Sequence, residues 1–302
     1  MNNDITAVDG IKVGNAENIE GGTGCTVIIC GNNFSAGAEV RGGAPGTRES
    51  ALLASEAVIQ NINAVLLTGG SAFGLDAAAG VMDYLEEQGT GFQTGSGYVP
   101  IVPAAVIYDL EYKSSKIRPD KKMAYQACRN ADNSPLENKS IGAAAGATCG
   151  KINGMKYAHK TKLGHAAIKI GKLIVAALVV VNAFGDIKDY KTGKIAAGAK
   201  DENGNFIDTE SIFLNKPELN TGLKRENTTL AVIATNARLN KSEANRVSIM
   251  AQDGLARTIY PVHTMLDGDT VFTLASNKIN ADINQVGTAA AAVAAEAVCS
   301  SV

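Results

Sequence analysis

The sequence predicts a mixed α/β architecture in which sheets are sandwiched between helices. Short apolar, β-branched runs alternate with helical patterns but also arrive in pairs, which a purely parallel sheet would not require. Glycine is abundant (32 residues), tryptophan is absent and aromatics reach only 5%, a composition suited to closely packed layers joined by tight turns. No repeat of the kind that builds a solenoid or propeller is visible.

The 302 residues allow one large domain or two ordinary ones. With 45% hydrophobic and 19% charged residues there is ample material for a core. The net charge of -2 excludes a basic footprint for nucleic acid or an anionic membrane surface. The longest apolar run, Leu173 to Phe184, is interrupted by Asn182 and falls short of the roughly 18 residues of a membrane span. The opening MNNDITAVDGIKVG lacks the features of a secretory signal. The five cysteines are scattered, with no CxxC pair, and read as buried small hydrophobes. A cytoplasmic location is expected, and no metal site.

Cys25–Cys30 reads as a buried strand, with Phe34 to Val40 as its hairpin partner across Gly31-Asn32-Asn33. Thr47 is placed to cap a helix running to about Asn61. Ala64–Thr68 is a strand, and Gly69-Gly-Ser-Ala-Phe-Gly74 turns it into a helix with Leu75, Ala78, Met82 and Leu85 on one face. Pro100 and Pro103 make 99–108 an edge or irregular strand. Residues 113–140 read as a solvated excursion, and 140–150 as a small, glycine-rich stretch. Ile174–Val181 is the strongest strand. The region 187–227 is rich in charge and turn signals. A further strand lies at Thr229–Ala234. Asn240 and Glu243 form a capping box that opens a helix, Val271–Ala275 is a strand, and Asn280 to about Val298 is an alanine-rich helix.

Three glycine-bearing motifs carry little chemistry by themselves. Gly69–Gly74 lies at a helix start, where backbone N–H groups can hold an anion, but lacks the dinucleotide spacing. Gly146-Ala-Thr-Cys-Gly-Lys151 lacks the first glycine and the final hydroxyl of a phosphate loop. Ser71 is not in a nucleophile elbow, because Phe73 stands where the last glycine belongs.

Glu226-Asn227-Thr228-Thr229 is more informative. A polar, turn-prone excursion ends at Asn227, and a buried strand begins at Thr228 or Thr229. That is also how an ordinary turn and strand start look. It is also the layout that an N-terminal nucleophile needs, a pattern that is weak taken alone. In mid-chain the Thr228 nitrogen is an amide and accepts no proton. Cutting Asn227–Thr228 would give an α-amine of pKa about 7.7–8, able to act as base to its own hydroxyl.

Six blocks together resemble the L-aminopeptidase/D-esterase family (DmpA-like, β-aminopeptidase-like), in order and over nearly the whole chain: Val40–Glu49, Leu67–Asp76, Val99–Ala104, Val179–Asp186, Asn227–Thr235 and Asp253–Arg257. The resemblance implies a single domain over 1–302, an α+β four-layer α-β-β-α sandwich of the DOM type. This is similar in architecture to N-terminal nucleophile hydrolases but differently connected. It implies self-cleavage into chains 1–227 and 228–302, an acyl-enzyme on Thr228, no cofactor, and assembly into a homo-oligomer of αβ units. Small peptides or aminoacyl derivatives are the implied substrates.

Residue by residue, Asn182 matches the oxyanion asparagine, a type of donor worth about 3–4 kcal/mol. Tyr108, with Tyr112 as the alternative, matches an assisting tyrosine. Asp269 matches the acid that orients the nucleophile. Asp267 replaces a family serine, and a second neighbouring carboxylate pushes one pKa of such a pair upward. Val106 stands where aminopeptidase members carry the glutamate that grips the substrate amine, leaving Asp109 as an alternative. Gly70 and Ser71 complete the expected substrate-binding positions. An acyl transferase similar to ornithine acetyltransferases, and an uncut binding protein of the same fold, are the competing readings.

Overall fold

The structure, a computed structural model, describes residues 1–216 and 227–302. Its frame is a nine-stranded sheet built from β1 (Lys12–Asn18), β2 (Thr23–Val40), β3 (Thr47–Arg48), β4 (Asn61–Thr68), β5 (Ala104–Val106), β6 (Leu163–Ile170), β7 (Leu173–Asn182), β8 (Thr228–Ala237) and β9 (Thr270–Ile279). The order is β6-β7-β8-β9-β2-β4-β5-β3, with β1 also on β2. Four helices cover it: α1 (Ala78–Glu87), α2 (Lys121–Arg129), α3 (Lys241–Ala256) and α4 (Ile283–Ser300).

β2 makes this one path into two layers. Its first half pairs with β1 and β4, and its second half, Ser35–Val40, pairs with β9. The expected hairpin across Gly31–Asn33 is therefore absent. The chain continues as one strand of 18 residues, because the pairing with β4 shifts register between Ile29 and Phe34, and such an irregularity bends a strand without reversing it.

Three apolar clusters separate four layers. Alternate residues on a strand point to opposite faces. Accordingly Leu178 and Val180 of β7, Val232 of β8, and Val65 and Leu67 of β4 share the cluster between the two β layers. Val179 and Val181, with Ala231 and Ile233, pack outward against α3 and α4. Cys25, Val27, Ala64 and Leu66 pack outward against α1 and α2. The result is the α-β-β-α sandwich. Both helices of the β8/β9 side follow the sequence expectation, and the Asn240/Glu243 capping box is complete.

Three other expectations fail locally, one of them only in part. In place of a helix over 47–61 there is one short 3-10 turn, Ser50–Leu53, because Glu49 is left-handed (φ 55) and Ala54 extended. Carbonyls of this segment are taken instead by α3: Lys241 Nζ donates to Leu52 and Ala57, and Asn245 Nδ2 to Leu53. Of the two readings for the stretch with Pro100 and Pro103, the irregular one holds and the edge does not. β5 lies beyond both prolines, internal between β4 and β3. The excursion over 113–140 contains α2, capped by Asp120 and buried through Ala124, Ala127 and Cys128, an apolar face too small to stand out among its lysines. Residues 142–149 are wholly buried. Among the described residues, no helix is long and apolar enough to cross a membrane.

Candidate active site

The site gathers where β7 ends and β8 begins. The two strands are antiparallel, with Asn182 and Thr228 as register partners. Thr228 is buried, at 3% exposure, and its Oγ lies within hydrogen-bonding reach of the Asn227 carbonyl oxygen. That same oxygen accepts the backbone N–H of Gly268 (2.9 Å). The hydroxyl and an N–H donor thus converge on the one peptide bond that leads into β8.

The turn Asp267-Gly268-Asp269 wraps this bond. Asn227 bridges to Asp267 in parallel fashion, and the Asn227 N–H donates to Leu266 O (3.1 Å). Gly268 has no room for a side chain: a Cβ there would stand 2.7 Å from Thr228 Oγ and 2.6 Å from Ala44 O. Arg41–Thr47, too rich in Gly and Pro for regular structure, clasps the far side. Arg41 N–H donates to Asp269 O and Ala44 N–H to Asp267 O. A Cβ on Gly42 would meet Asp267 O at 2.3 Å.

Both aspartates are buried, at 1% exposure each. Asp269 Oδ1 accepts the Thr229 N–H (2.6 Å), fixing the start of β8. Its Oδ2 accepts the His263 N–H (3.1 Å) and lies 2.7 Å from His263 Nδ1. Asp267 Oδ2 accepts the Thr264 N–H and hydroxyl (3.1 and 2.6 Å), and its Oδ1 the Phe184 N–H (3.3 Å). Burial, and secondarily the charge of Asp269, push the Asp267 carboxyl up to about 6, as two close acids require.

Asn182 is locked in one orientation. Its Oδ1 accepts from Thr148 N–H (3.1 Å) and from Lys151 Nζ (2.8 Å). Both partners are donors only, so the amide nitrogen must point the other way, where it donates to Tyr108 O (2.8 Å). Tyr108 thereby joins the site through its main chain. Tyr112 stands apart, beneath Lys160 Nζ (5.4 Å from its ring).

The expected substrate-binding positions form a second group beside Tyr108. Asp109 is 3% exposed; its Oδ1 accepts the Gly70 N–H (2.7 Å), and burial raises its pKa. Gly70 and Ser71 are both left-handed (φ 81 and 55), and Ser71 N–H donates to Ile107 O. Asp109 thus anchors the strand-to-helix turn. Val106 is buried and faces the clasping loop, since a Cβ on Gly46 would stand 2.5 Å from its Cγ2.

Sequence reasoning missed Lys151 and gave His263 no role. Lys151 was visible only as the end of a failed phosphate-loop pattern, and His263 only by its nearness to the aspartates. Among the described residues, no cluster of His, Cys, Asp and Glu could hold a metal ion.

Comparisons with known proteins identify the family and the fold. The profile of Peptidase family S58 matches residues 3–302. An uncharacterized aminopeptidase of Mycobacterium leprae is 38% identical over 289 residues, covering 92% of this chain and 80% of the relative. A 6-aminohexanoate-oligomer endohydrolase of Kocuria is 30% identical over 275 residues, covering 90% and 74%. In fold, the chain is similar to the L-aminopeptidase D-Ala-esterase/amidase of Ochrobactrum anthropi, described as a variant of the Ntn hydrolase fold (TM-score 0.73, 17% identity, 99% of this chain and 85% of that one). A Burkholderia β-aminopeptidase is similar to the same degree (TM-score 0.71, 18% identity, 99% and 86%). With the family matched over nearly its full length, the chain belongs to Peptidase family S58 and is a hydrolase of the aminopeptidase and amidase kind.

Proposed function

We propose that the protein cuts itself between Asn227 and Thr228, and that Thr228 then hydrolyses amide or ester bonds as an N-terminal nucleophile. The carrying observation is the convergence of Thr228 Oγ and the Gly268 N–H on the Asn227 carbonyl. In self-cleavage, Thr228 Oγ attacks the Asn227 carbonyl carbon. The carbonyl oxygen takes the negative charge and is held by the Gly268 N–H, a preorganised donor. The aspartate pair takes the hydroxyl proton and returns it to the departing nitrogen. The resulting ester is hydrolysed by water, which leaves an Asn227 carboxylate and a free Thr228 amine.

In turnover, that amine takes the proton of its own hydroxyl as Oγ attacks the substrate carbonyl. Asn182 supplies an amide N–H to the oxyanion. The amine's proton passes to the leaving group, and water releases the acyl group. Asp269 keeps β8 in place through Thr229, and Lys151 keeps the Asn182 amide from turning over.

The substrate follows from Val106. An apolar, buried side chain offers no charge to hold an ammonium beside the scissile bond. Amides flanked by methylene chains, like those of the Kocuria relative's oligomers, need no such charge beside the bond and are better candidates than a short α-amino acid amide. Asp109, its carboxyl engaged by Gly70, serves as support for the Gly70–Ser71 turn. The αβ units are proposed to assemble as a homo-oligomer, in the cytoplasm.

The test is denaturing electrophoresis with intact-mass measurement. The parent protein runs as two chains with the break between Asn227 and Thr228, and Thr228→Ala runs as one inactive chain. Cleavage of Thr228→Ala at the same bond overturns the assignment.

A further inference from the structure

His263 and Thr264 together send four contacts to the two carboxylates. Thr264 serves Asp267 twice, and His263 serves Asp269 through its N–H and its ring. To do so His263 adopts a left-handed backbone (φ 56), a conformation uncommon for a residue with a side chain and one that concentrates at functional sites. In the Nδ1–H tautomer the ring donates to Asp269 Oδ2 at 2.7 Å. The ring side chain is 20% exposed and Asp269 1%, so His263 links the buried pair to solvent.

We propose, building on the reading above, that His263 is a positioning residue of the reaction. Its Nδ1–H fixes Asp269 Oδ2, keeps Oδ1 on the Thr229 N–H, and directs the negative charge of the aspartate pair to Asp269. The other acid, Asp267, is left to carry the mobile proton. The charged groups facing the ring are the two aspartates of the same turn; from β2 and the clasping loop, Arg41 reaches Asp269 O through its main-chain N–H, while its side chain pairs with Glu39 at 2.8 Å.

Two variants isolate the ring, since both tolerate the left-handed backbone. His263→Gly keeps the main-chain N–H and loses the ring. His263→Asn returns a side-chain N–H near the position of Nδ1. Each is assayed for self-cleavage rate and for kcat and KM on an aminoacyl anilide and a 6-aminohexanoate dimer, across pH 4.5 to 9. The glycine variant is expected to lose about ten- to a hundred-fold in kcat, as for one hydrogen bond to a charged group, with little change in KM. In self-cleavage, where the aspartate pair is the base, its acid limb moves to higher pH, because losing an N–H donor favours the protonated form of a carboxylate. The asparagine variant recovers most of the rate and the parent's acid limb. Parent-like kcat and acid limb in His263→Gly overturn the proposal. So does equal loss in both variants with an unchanged pH profile, which marks a purely structural role. Thr228→Ala, run in parallel, separates the two readings: full activity there overturns both, whereas an inactive Thr228→Ala beside an unaffected His263→Gly overturns only the role of His263.

Discussion

Gly268→Ala probes the geometry at its tightest point. The added Cβ would lie 2.7 Å from Thr228 Oγ, 2.6 Å from Ala44 O and 3.1 Å from Pro45 Cα. Two of these neighbours are backbone atoms of the clasping loop, and Ala44 is held by its own N–H bond to Asp267 O (2.8 Å). The loop therefore cannot retreat without releasing the turn. The softest response is rotation of the Thr228 hydroxyl away from the Asn227 carbonyl. Overpacking of this kind costs about 1–3 kcal/mol, and a misplacement of about 1 Å costs about a hundred-fold in rate. Self-cleavage, followed by electrophoresis from freshly purified uncut protein, should slow by about that factor, with a lower melting temperature. Cleavage at the parent rate with parent stability would show that this turn does not confine the hydroxyl, and the mechanism built on that confinement would fall.

Two further outcomes test the electrostatics. Asn182→Ala removes the oxyanion donor and should lower kcat by about 10²–10³ with little effect on KM; an unchanged kcat in steady-state assays excludes Asn182 from the transition state. Asp267 holds its proton up to about 6 in the fold against an ordinary 3.8. The folded state thus binds more protons between these values, and stability contributed by the neutral acid is lost as pH rises from about 4 through about 6, by at most about 3 kcal/mol. Urea melts of uncut Thr228→Ala with and without Asp267→Asn should diverge over that window, the asparagine variant becoming relatively more stable as pH rises; parallel curves refute the burial argument.

How much was legible differs from element to element. β7 and β8 carry unbroken apolar runs, and β9 one broken only by Thr273, because both faces are covered, one by the opposing sheet and the other by α3 and α4. Such runs can be read without a structure. The capping box of α3 was equally plain, being a local bond pattern. α2 was hidden because its buried face is only Ala124, Ala127 and Cys128. The 47–61 segment misled because a helical spacing of apolar residues says nothing about Lys241 and Asn245, nearly two hundred residues later, claiming its carbonyls.

The site shows the same division. Thr228 and Asn182 stand at strand boundaries, where local chemistry changes abruptly, so the chain itself marks them. Nothing local marks His263 or Lys151, which the fold brings into contact with Asp269 and Asn182.

Composition and periodicity by themselves determined layered, mixed sheets between helices, and the six motif blocks determined the family. Only the tertiary structure decided that β2 runs through both layers, that the glycine-rich clasp holds the Asp267–Asp269 turn, and which donors serve each carboxylate. The physical reason is range: burial patterns and caps are written within a few residues, whereas a hydrogen-bond partner for a buried charge is selected by space and can come from anywhere in the chain.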